Sequence, residues 1–223
     1  MPEGFVQQVL DDADEVLGVL PHVITTLRRG VLIANAGVDQ SNVDPAHGDL
    51  VALPRDPDAT ALALMRLLRA RYGVPVGVIV ADSVVHALRR GTAGCALGVA
   101  GLHAVSSELG RSDLFGRAMR ITSRAVADNI CSAALLLMGE TDERLCFPLL
   151  PLVLSRHVVY MCAGIPMVVV RGSRAQMLDD REAEAATTGE AVIPRAECIY
   201  MGDAMVPNPR TQEYLRTVFA ENK

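Results

Sequence analysis

The chain has 223 residues, a formal net charge of −5, half of its residues hydrophobic, only 4% aromatic and no Trp. That length supports one large domain or two small ones around a core of Val, Leu, Ile, Ala and Met. The acidic balance, with no basic stripe to displace counterions, excludes nucleic acid as the main partner. A mean hydropathy of +0.27 leaves more aliphatic surface than one modest core absorbs, so part of it is expected to lie against another subunit.

Residues 3–18 read as an amphipathic helix, with Phe5, Val9, Leu10, Ala13, Val16 and Leu17 on one face. Asp11, Asp12, Asp14 and Glu15 fall on the other face, and Pro21 ends the run. Residues 22–29 read as a short strand. It runs into GVLIANAGVDQSNVD (residues 30–44), where the apolar Val31, Leu32, Ile33 and Ala34 give way at once to a small, polar loop. Two readings fit that loop. Asn, Gly, Asp and Ser are the commonest turn formers, and polar loops at strand ends are also where open sheets keep their sites.

Residues 50–53 read as another short strand. Asp56 is a good N-cap and Pro57 takes the favoured first position of a helix reaching about Tyr72, with Arg66, Arg69 and Arg71 near its negative end and Gly73 closing it. VPVGVIVADS (residues 74–83) is an apolar run ending in Asp82 and Ser83, a buried strand by composition. Strand, helix and strand at this spacing point to an α/β fold: a mixed, α+β-like sheet with flanking helices. Residues 84–90 fit neither period.

Residues 95–104 form a small-residue strand in which Gly98 and Gly101 permit close backbone approach. A helix is expected over 123–138, with Gly139 as its C′ residue. Residues 145–170 are apolar over a length that could span a bilayer, but Arg156 and His157 lie at the middle and Pro148, Pro151 and Pro166 interrupt it. That run is expected as two or three buried strands of a soluble protein, IPMVVVRG being the last. Residues 173–190 are expected as a mobile helix or linker, and a short helix follows Asn208. The expected organisation is a single domain over 1–223: a short N-terminal segment (1–29), a core (30–172), and a C-terminal linker and helix (173–223).

Five cysteines, Cys95, Cys131, Cys146, Cys162 and Cys198, are widely spaced with no CxxC pair. They read as reduced, buried thiols of a cytoplasmic protein, and the acidic N-terminus lacks the form of a signal peptide. There is no P-loop, no GxSxG elbow, no HExxH and no metal-spaced Cys/His cluster. His86 and His103 flank apolar segments and read as structural. What remains is a set of carboxylates near element ends: Asp39, Asp44, Asp82, Asp113 and Asp128. Asp82 follows GVIVA and must meet solvent, a cation or a metal. Asp128, in the first turns of a helix, is favoured there by the helix dipole alone. Carboxylates and hydroxyls converging from separate elements would suit Mg²⁺ or Mn²⁺.

Seven segments in order, ANAGVDQSNVD, LPRDPDATA, VGVIVADS, RRGTAGCALGVAGL, DLFGRAMRITSRAVADN, LLLMGE and PMVVVRG, resemble the coenzyme F420-0:γ-glutamyl ligase family. The resemblance covers residues 30–172 and implies that family's α/β fold, a homodimer, GTP as co-substrate and divalent metal (Mg²⁺ or Mn²⁺). The implied reaction joins L-glutamate to F420-0, or a related acid, through an amide bond, after phosphorylation activates a carboxylate. By motif, the metal-binding and catalytic Asp falls on Asp82, and the second metal segment falls on Thr122 and Ser123. The nucleotide-contacting loop falls on Asn35, Asp39, Ser41 and Asn42, and the Gly-Arg pair of a later loop on Gly116 and Arg117.

The chain also departs from the family pattern. The run Asp-(Ser/Thr)-x-Gly-Arg-Pro is here Asp82, Ser83, Val84, Val85, His86, Ala87; Ser123 stands at an acidic position; and Asn129 replaces a Glu. An extra apolar segment spans 146–163, and the family's N-terminal lobe, with its early GTP contacts, is expected to be shortened to residues 1–29. These departures give a second expectation: a catalytically impaired homologue acting as a small-molecule-binding or assembly subunit.

Overall fold

The computed structural model describes residues 1–43, 49–141, 159–161, 167–171 and 178–193. Asp44, the 146–163 insertion apart from a short strand, three of the cysteines (Cys146, Cys162 and Cys198) and the helix expected after Asn208 lie outside the described residues. Met1–Ala191 forms one compact unit and Val192–Lys223 a second; every described helix and strand belongs to the first. The architecture is mixed α/β, built from small antiparallel sheets and a few helices.

Helix α1 (Glu3–Asp12) is shorter than the periodicity suggests. The remainder of that run is a strand, β1 (Glu15–Leu20), paired with β2 (Val23–Arg28) across the turn at Pro21 and His22. Asp14 donates its amide to the Leu27 carbonyl, so hairpin pairing takes over where α1 ends, and the helical spacing of Val16 and Leu17 is overridden by tertiary context. Strand β3 (Val31–Ala34) completes the order β1-β2-β3. One face of β2 turns Ile24, Thr26 and Arg28 inward, two of them polar. Phe5 and Val9 of α1 pack with Ile24, Ala36 and Val38 in the first of three hydrophobic clusters among the described residues.

Helix α2 (Pro57–Tyr72) begins and ends as expected: Asp56 accepts the Ala59 amide, and Gly73 closes it at φ 64°. The expected strand at 50–53 reduces to a single bridge between Val51 and Asp39. Strands β4 (Val78–Val85) and β5 (Thr92–Ala100) form a two-stranded ribbon, displaced by an irregularity at Val80/Ala81. Asp82 therefore lies within a strand, opposite Cys95, rather than beyond its end. Continuing the strand keeps backbone pairing through Val85, which the sequence alone leaves undecided.

The ribbon carries a helix on each face. Val78, Val80 and Ala100 pack with Ala61 and Met65 of α2. Ile79, Ala96 and Val99 pack with Ala127, Cys131 and Ile130 of α3 (Val126–Met138). That helix starts three residues later than its periodicity suggests, because residues 123–125 form β7 (Ser123–Ala125), paired with β6 (Val105–Ser107). Gly139 caps it as expected.

Strands β8 (Val159–Met161) and β9 (Val168–Val170) pair with each other. β9 is not a buried strand as its composition suggests: Val169 and Val170 are exposed. The run expected as a mobile helix or linker is helical over part of its described residues. Leu178, Ala183 and Ala186, around helix α4 (Asp180–Ala185), are buried against α2. Among the described residues no helix is long and apolar enough to cross a membrane.

Two glycines set how closely the helices approach the ribbon. A Cβ on Gly98 would lie 2.1 Å from the Pro57 carbonyl oxygen, and one on Gly94 would lie 2.4 Å from the Cys131 backbone. Since the obstacle at Gly98 is backbone rather than a flexible side chain, Gly98→Ala is expected to destabilise by roughly 1–3 kcal/mol, read as a lowered midpoint in urea denaturation.

Candidate active site

The loop after β3 is held in an unusual conformation. Asn35 and Ala36 adopt φ of 52° and 51°, followed by Gly37 at 71°. Two successive non-glycine residues in the left-handed region cost about 1 kcal/mol or more each, so the surroundings must over-determine them. They do. The Ala36 amide donates to Thr26 Oγ1 at 3.0 Å, the Ala36 carbonyl accepts from Arg28 Nη1 at 2.8 Å, and Asn35 Oδ1 accepts the Ile24 amide at 2.8 Å. The loop emerges with Asp39 paired to Val51, amide to carbonyl in both directions.

Asp39, Ser41 and Asn42 line a cavity of about 880 Å³ with Asp82 and Ser83 of β4, Cys131 and Met138 of α3, Glu140, Thr141, and Val168–Arg171 at β9. Three carboxylates thus come to one cavity from three separate elements. Asp39 accepts from the Gln40 and Ser41 amides and from Ser41 Oγ. Burial pushes its carboxyl up, but the Ser41 and Gln40 hydrogen bonds outweigh it, and the group sits below its ordinary value. Glu140 accepts from Thr92 Oγ1 at 2.6 Å and from Ser83 Oγ at 3.1 Å, tying the end of α3 to the ribbon.

Asp82 differs. Its one hydrogen bond among those described comes from the Ser83 amide, at 2.8 Å. Burial pushes its carboxyl above the ordinary 3.8 despite that bond, and the charges of Asp39 and Glu140 push it further the same way. Burial also holds the Cys95 and Cys131 thiols up at about 12, Asp128 adding to both, so neither is a nucleophile near neutral pH.

The residues singled out in the sequence separate into three groups. Asp39, Ser41, Asn42 and Asp82 share the cavity. Asn35 is absent from its lining and spends its side-chain carbonyl on β2. Gly116, Arg117, Thr122 and Ser123 lie on the β6–β7 arm, and none of them lines the cavity. Asp113 shapes the arm's turn by accepting the Phe115 and Arg117 amides. Asp128 accepts the Ala96 amide, a structural role. His103 pairs with Glu190 at 2.9 Å. Glu140, Thr141 and Arg171 line the cavity without being marked as site residues by the sequence; the signal for them is their place at the ends of the LLLMGE and PMVVVRG segments.

Among the described residues no three of His, Cys, Asp or Glu sit closely enough to form a ready-made metal cage. The cavity's donors, carboxylates and hydroxyls of Asp39, Ser41, Asp82, Ser83 and Glu140, are nonetheless hard oxygens. Mg²⁺ typically takes one or two carboxylates and completes its shell with water and substrate phosphates. The donor set fits a cation that arrives with a phosphate ligand.

A small antiparallel ribbon clasped by two helices, opening on an acid- and hydroxyl-lined cavity, is the framework of a mixed α/β protein. The chain belongs to the F420-0:gamma-glutamyl ligase family, whose profile matches residues 1–151. It is 42% identical to the coenzyme F420:L-glutamate ligase of Methanopyrus kandleri over 173 residues and 39% identical to that of Archaeoglobus fulgidus over 171. Each match covers 77% of this chain and 60% of the relative. The ligase of Methanocaldococcus jannaschii is 36% identical over 169 residues, 75% of this chain and 59% of the relative. The chain thus spans about three fifths of the length of these relatives, and the profile match begins at residue 1, ahead of the 30–172 core that the motifs outline.

The raised Asp82 carboxyl means that the folded state holds its proton more tightly than the unfolded chain does. Its contribution to stability is full below the ordinary 3.8 and is lost as pH rises through the raised folded value. Asp82→Asn is therefore expected to raise the urea midpoint at pH 7 in metal-free buffer. The gain should shrink as pH falls through the carboxylate range; a variant less stable than wild type at pH 7 would contradict this reading.

Proposed function

We propose that this chain is a ligase that forms an amide bond between an acidic acceptor, F420-0 or a related acid, and L-glutamate or a similar amine, with GTP as co-substrate and Mg²⁺ or Mn²⁺. The observation that carries the proposal is the meeting of Asp39, Ser41, Asn42 and Asp82 on one cavity in a chain of this family. The relatives' name, coenzyme F420:L-glutamate ligase, supplies the reaction class.

In this reading Asp82 is the principal metal ligand, with Asp39 and Glu140 beside it. The bound cation would neutralise phosphate charge during phosphoryl transfer. The chain's own residues supply positioning. Asp39, Ser41 and Asn42 of the loop after β3 form part of one wall, and Ser83 lines the same space. Arg171, at the end of β9, is the sole basic residue among the described lining and suits a phosphate or carboxylate of the substrates. Dispersed positioning and charge stabilisation, rather than a nucleophilic side chain, are what acyl-phosphate chemistry asks of a protein.

Homodimerisation, and a cytoplasmic setting, belong to the same proposal. The arm between β6 and β7 exposes Leu114, Phe115 and Ile121 at 97%, 87% and 91%, more apolar surface than a monomer normally leaves in water. It also carries Gly116, Arg117, Thr122 and Ser123, whose proposed nucleotide and metal roles require a second copy, or a closing movement, to bring them to a cavity. Light scattering is expected to give the mass of a dimer for wild type, with Phe115→Asp shifting it toward monomer; a monomeric wild type would overturn this part.

One feature favours the impaired-homologue reading: Val85 and His86, exposed at the ribbon tip, occupy positions where the family pattern has Gly and Arg. Thermal shift separates the two. With Mg²⁺ or Mn²⁺ and GTP at about 100-fold above their dissociation constants, wild type is expected to gain about 5–10 °C, and Asp82→Asn to gain none. Absence of a response in wild type would remove the ligase reading.

A further inference from the structure

Outside the cavity, one group of buried polar side chains has no part in the reaction proposed above: Thr26 and Arg28, on the inward face of β2. Burying a hydroxyl and a guanidinium is costly unless each is fully used. Both are spent chiefly on the loop that carries Asp39. From this geometry we infer that Thr26 and Arg28 are positioning residues for Asp39, acting through the backbone of Ala36; the functional part of this inference rests on the ligase reading.

Ala36 is fully buried and left-handed, and both of its backbone polar groups are taken by side chains of β2. Thr26 Oγ1 accepts the Ala36 amide and donates to the Ile33 carbonyl at 2.7 Å. One hydroxyl therefore fixes the geometry on both sides of Asn35. Arg28 donates to the Ala36 carbonyl through Nη1 and reaches the Leu53 carbonyl through Nη2 at 3.4 Å. A single guanidinium thus holds both ends of the segment between residues 36 and 53. Asp12, at the end of α1, balances its charge at 3.5 Å. Asp39, paired to Val51 within the clasped segment, is three residues from Ala36.

Neither Thr26 nor Arg28 lines the cavity, so neither touches a reacting group. A carboxylate displaced by an ångström loses much of its value to a bound cation, and the clasp is what sets the position of Asp39. The hydroxyl is the sharper probe. Val in place of Thr26 keeps the β-branched shape and strand preference and deletes only the oxygen that Ala36 and Ile33 share. Ser restores that oxygen.

The experiment compares wild type, Thr26→Val, Thr26→Ser, Asp39→Asn and the Thr26→Val/Asp39→Asn double variant, all at a temperature where thermal unfolding shows each to be folded. Two quantities are read. The first needs no ligand: amide hydrogen exchange by NMR. Thr26→Val should speed exchange at the paired Asp39 and Val51 amides while leaving the β4–β5 ribbon unchanged, and Thr26→Ser should return it to wild type. The second is the Mg²⁺ midpoint at saturating GTP. Thr26→Val should weaken it about tenfold, Thr26→Ser should restore it, and Thr26→Val should have no further effect once Asp39 is Asn.

Unchanged exchange at Asp39 and Val51, or effects of the two substitutions that add on the Mg²⁺ midpoint, would overturn the inference. So would a Thr26→Val protein that loses stability while keeping its midpoint. A wild type that shows no Mg²⁺ and GTP response would remove the ligase reading and with it the catalytic purpose of the clasp, while the exchange result would still decide whether Thr26 positions the loop.

Discussion

The fold depends on how a two-stranded ribbon is made to serve as a core element. A lone β-hairpin is marginal in water, and β5 offers backbone amides to a side where no strand among the described residues pairs with it. Two helix-borne carboxylates answer this. Asp58, in the first turn of α2, accepts the Val99 amide, and Asp128, in the first turn of α3, accepts the Ala96 amide, both at 2.9 Å. Each carboxylate also lies where its own helix dipole favours negative charge. Helix starts and strand edge therefore satisfy each other, and Gly94 and Gly98 let the helices come close enough to do so. Asp58 is used further: it accepts the Thr188 amide and hydroxyl, which fastens the segment after α4 to the same point.

That arrangement decides where Asp82 goes. Clamped between α2 and α3, the ribbon carries Asp82 within β4, half-buried and opposite Cys95, and turns it toward the space below the end of α3. Glu140, just past α3, and Asp39, in the loop after β3, bring carboxylates of their own. The three hydrophobic clusters, one around α1 and β2 and one on each face of the ribbon, hold these elements together against that repulsion. Concentrating like charge at a cavity at the expense of stability is what functional sites do.

Signals in the sequence are strong where chemistry is local. Asp56 with Pro57 marks the start of α2, Gly73 and Gly139 mark helix ends, and Gly98 marks a close approach; each is a property of a few adjacent residues. Signals fail where pairing partners are distant. The spacing of Val16 and Leu17 suits a helix, but β2 claims the segment; Ser123 to Ala125 suits the start of α3, but β6 claims it. Within the site, the Asn35–Asn42 loop and Asp82 are legible because apolar runs stop at or are broken by polar residues there. Glu140 and Arg171 are not, because an acid after a helix-ending glycine and a base after a short valine run look like ordinary surface until the fold turns them to a shared cavity. Asn35 is misleading in a useful way: its side chain serves the backbone conformation that presents the loop.

The three cavity carboxylates are not equivalent, and the difference follows from how each is already satisfied. Asp39 accepts two amides and a hydroxyl, and its carboxylate is stabilised by them. Glu140 has a hydroxyl on each oxygen. Among the described residues, Asp82 has a single backbone amide, the deeper burial, and the other two charges as neighbours. A cation entering the cavity would therefore relieve the most unfavourable charge at Asp82, while Asp39 and Glu140 could add attraction without surrendering the hydrogen bonds that orient them. Under the metal-dependent reading proposed above, a tight protein cage would be unnecessary: one under-satisfied carboxylate and two pre-oriented ones would hold a cation while leaving room for substrate oxygens beside it.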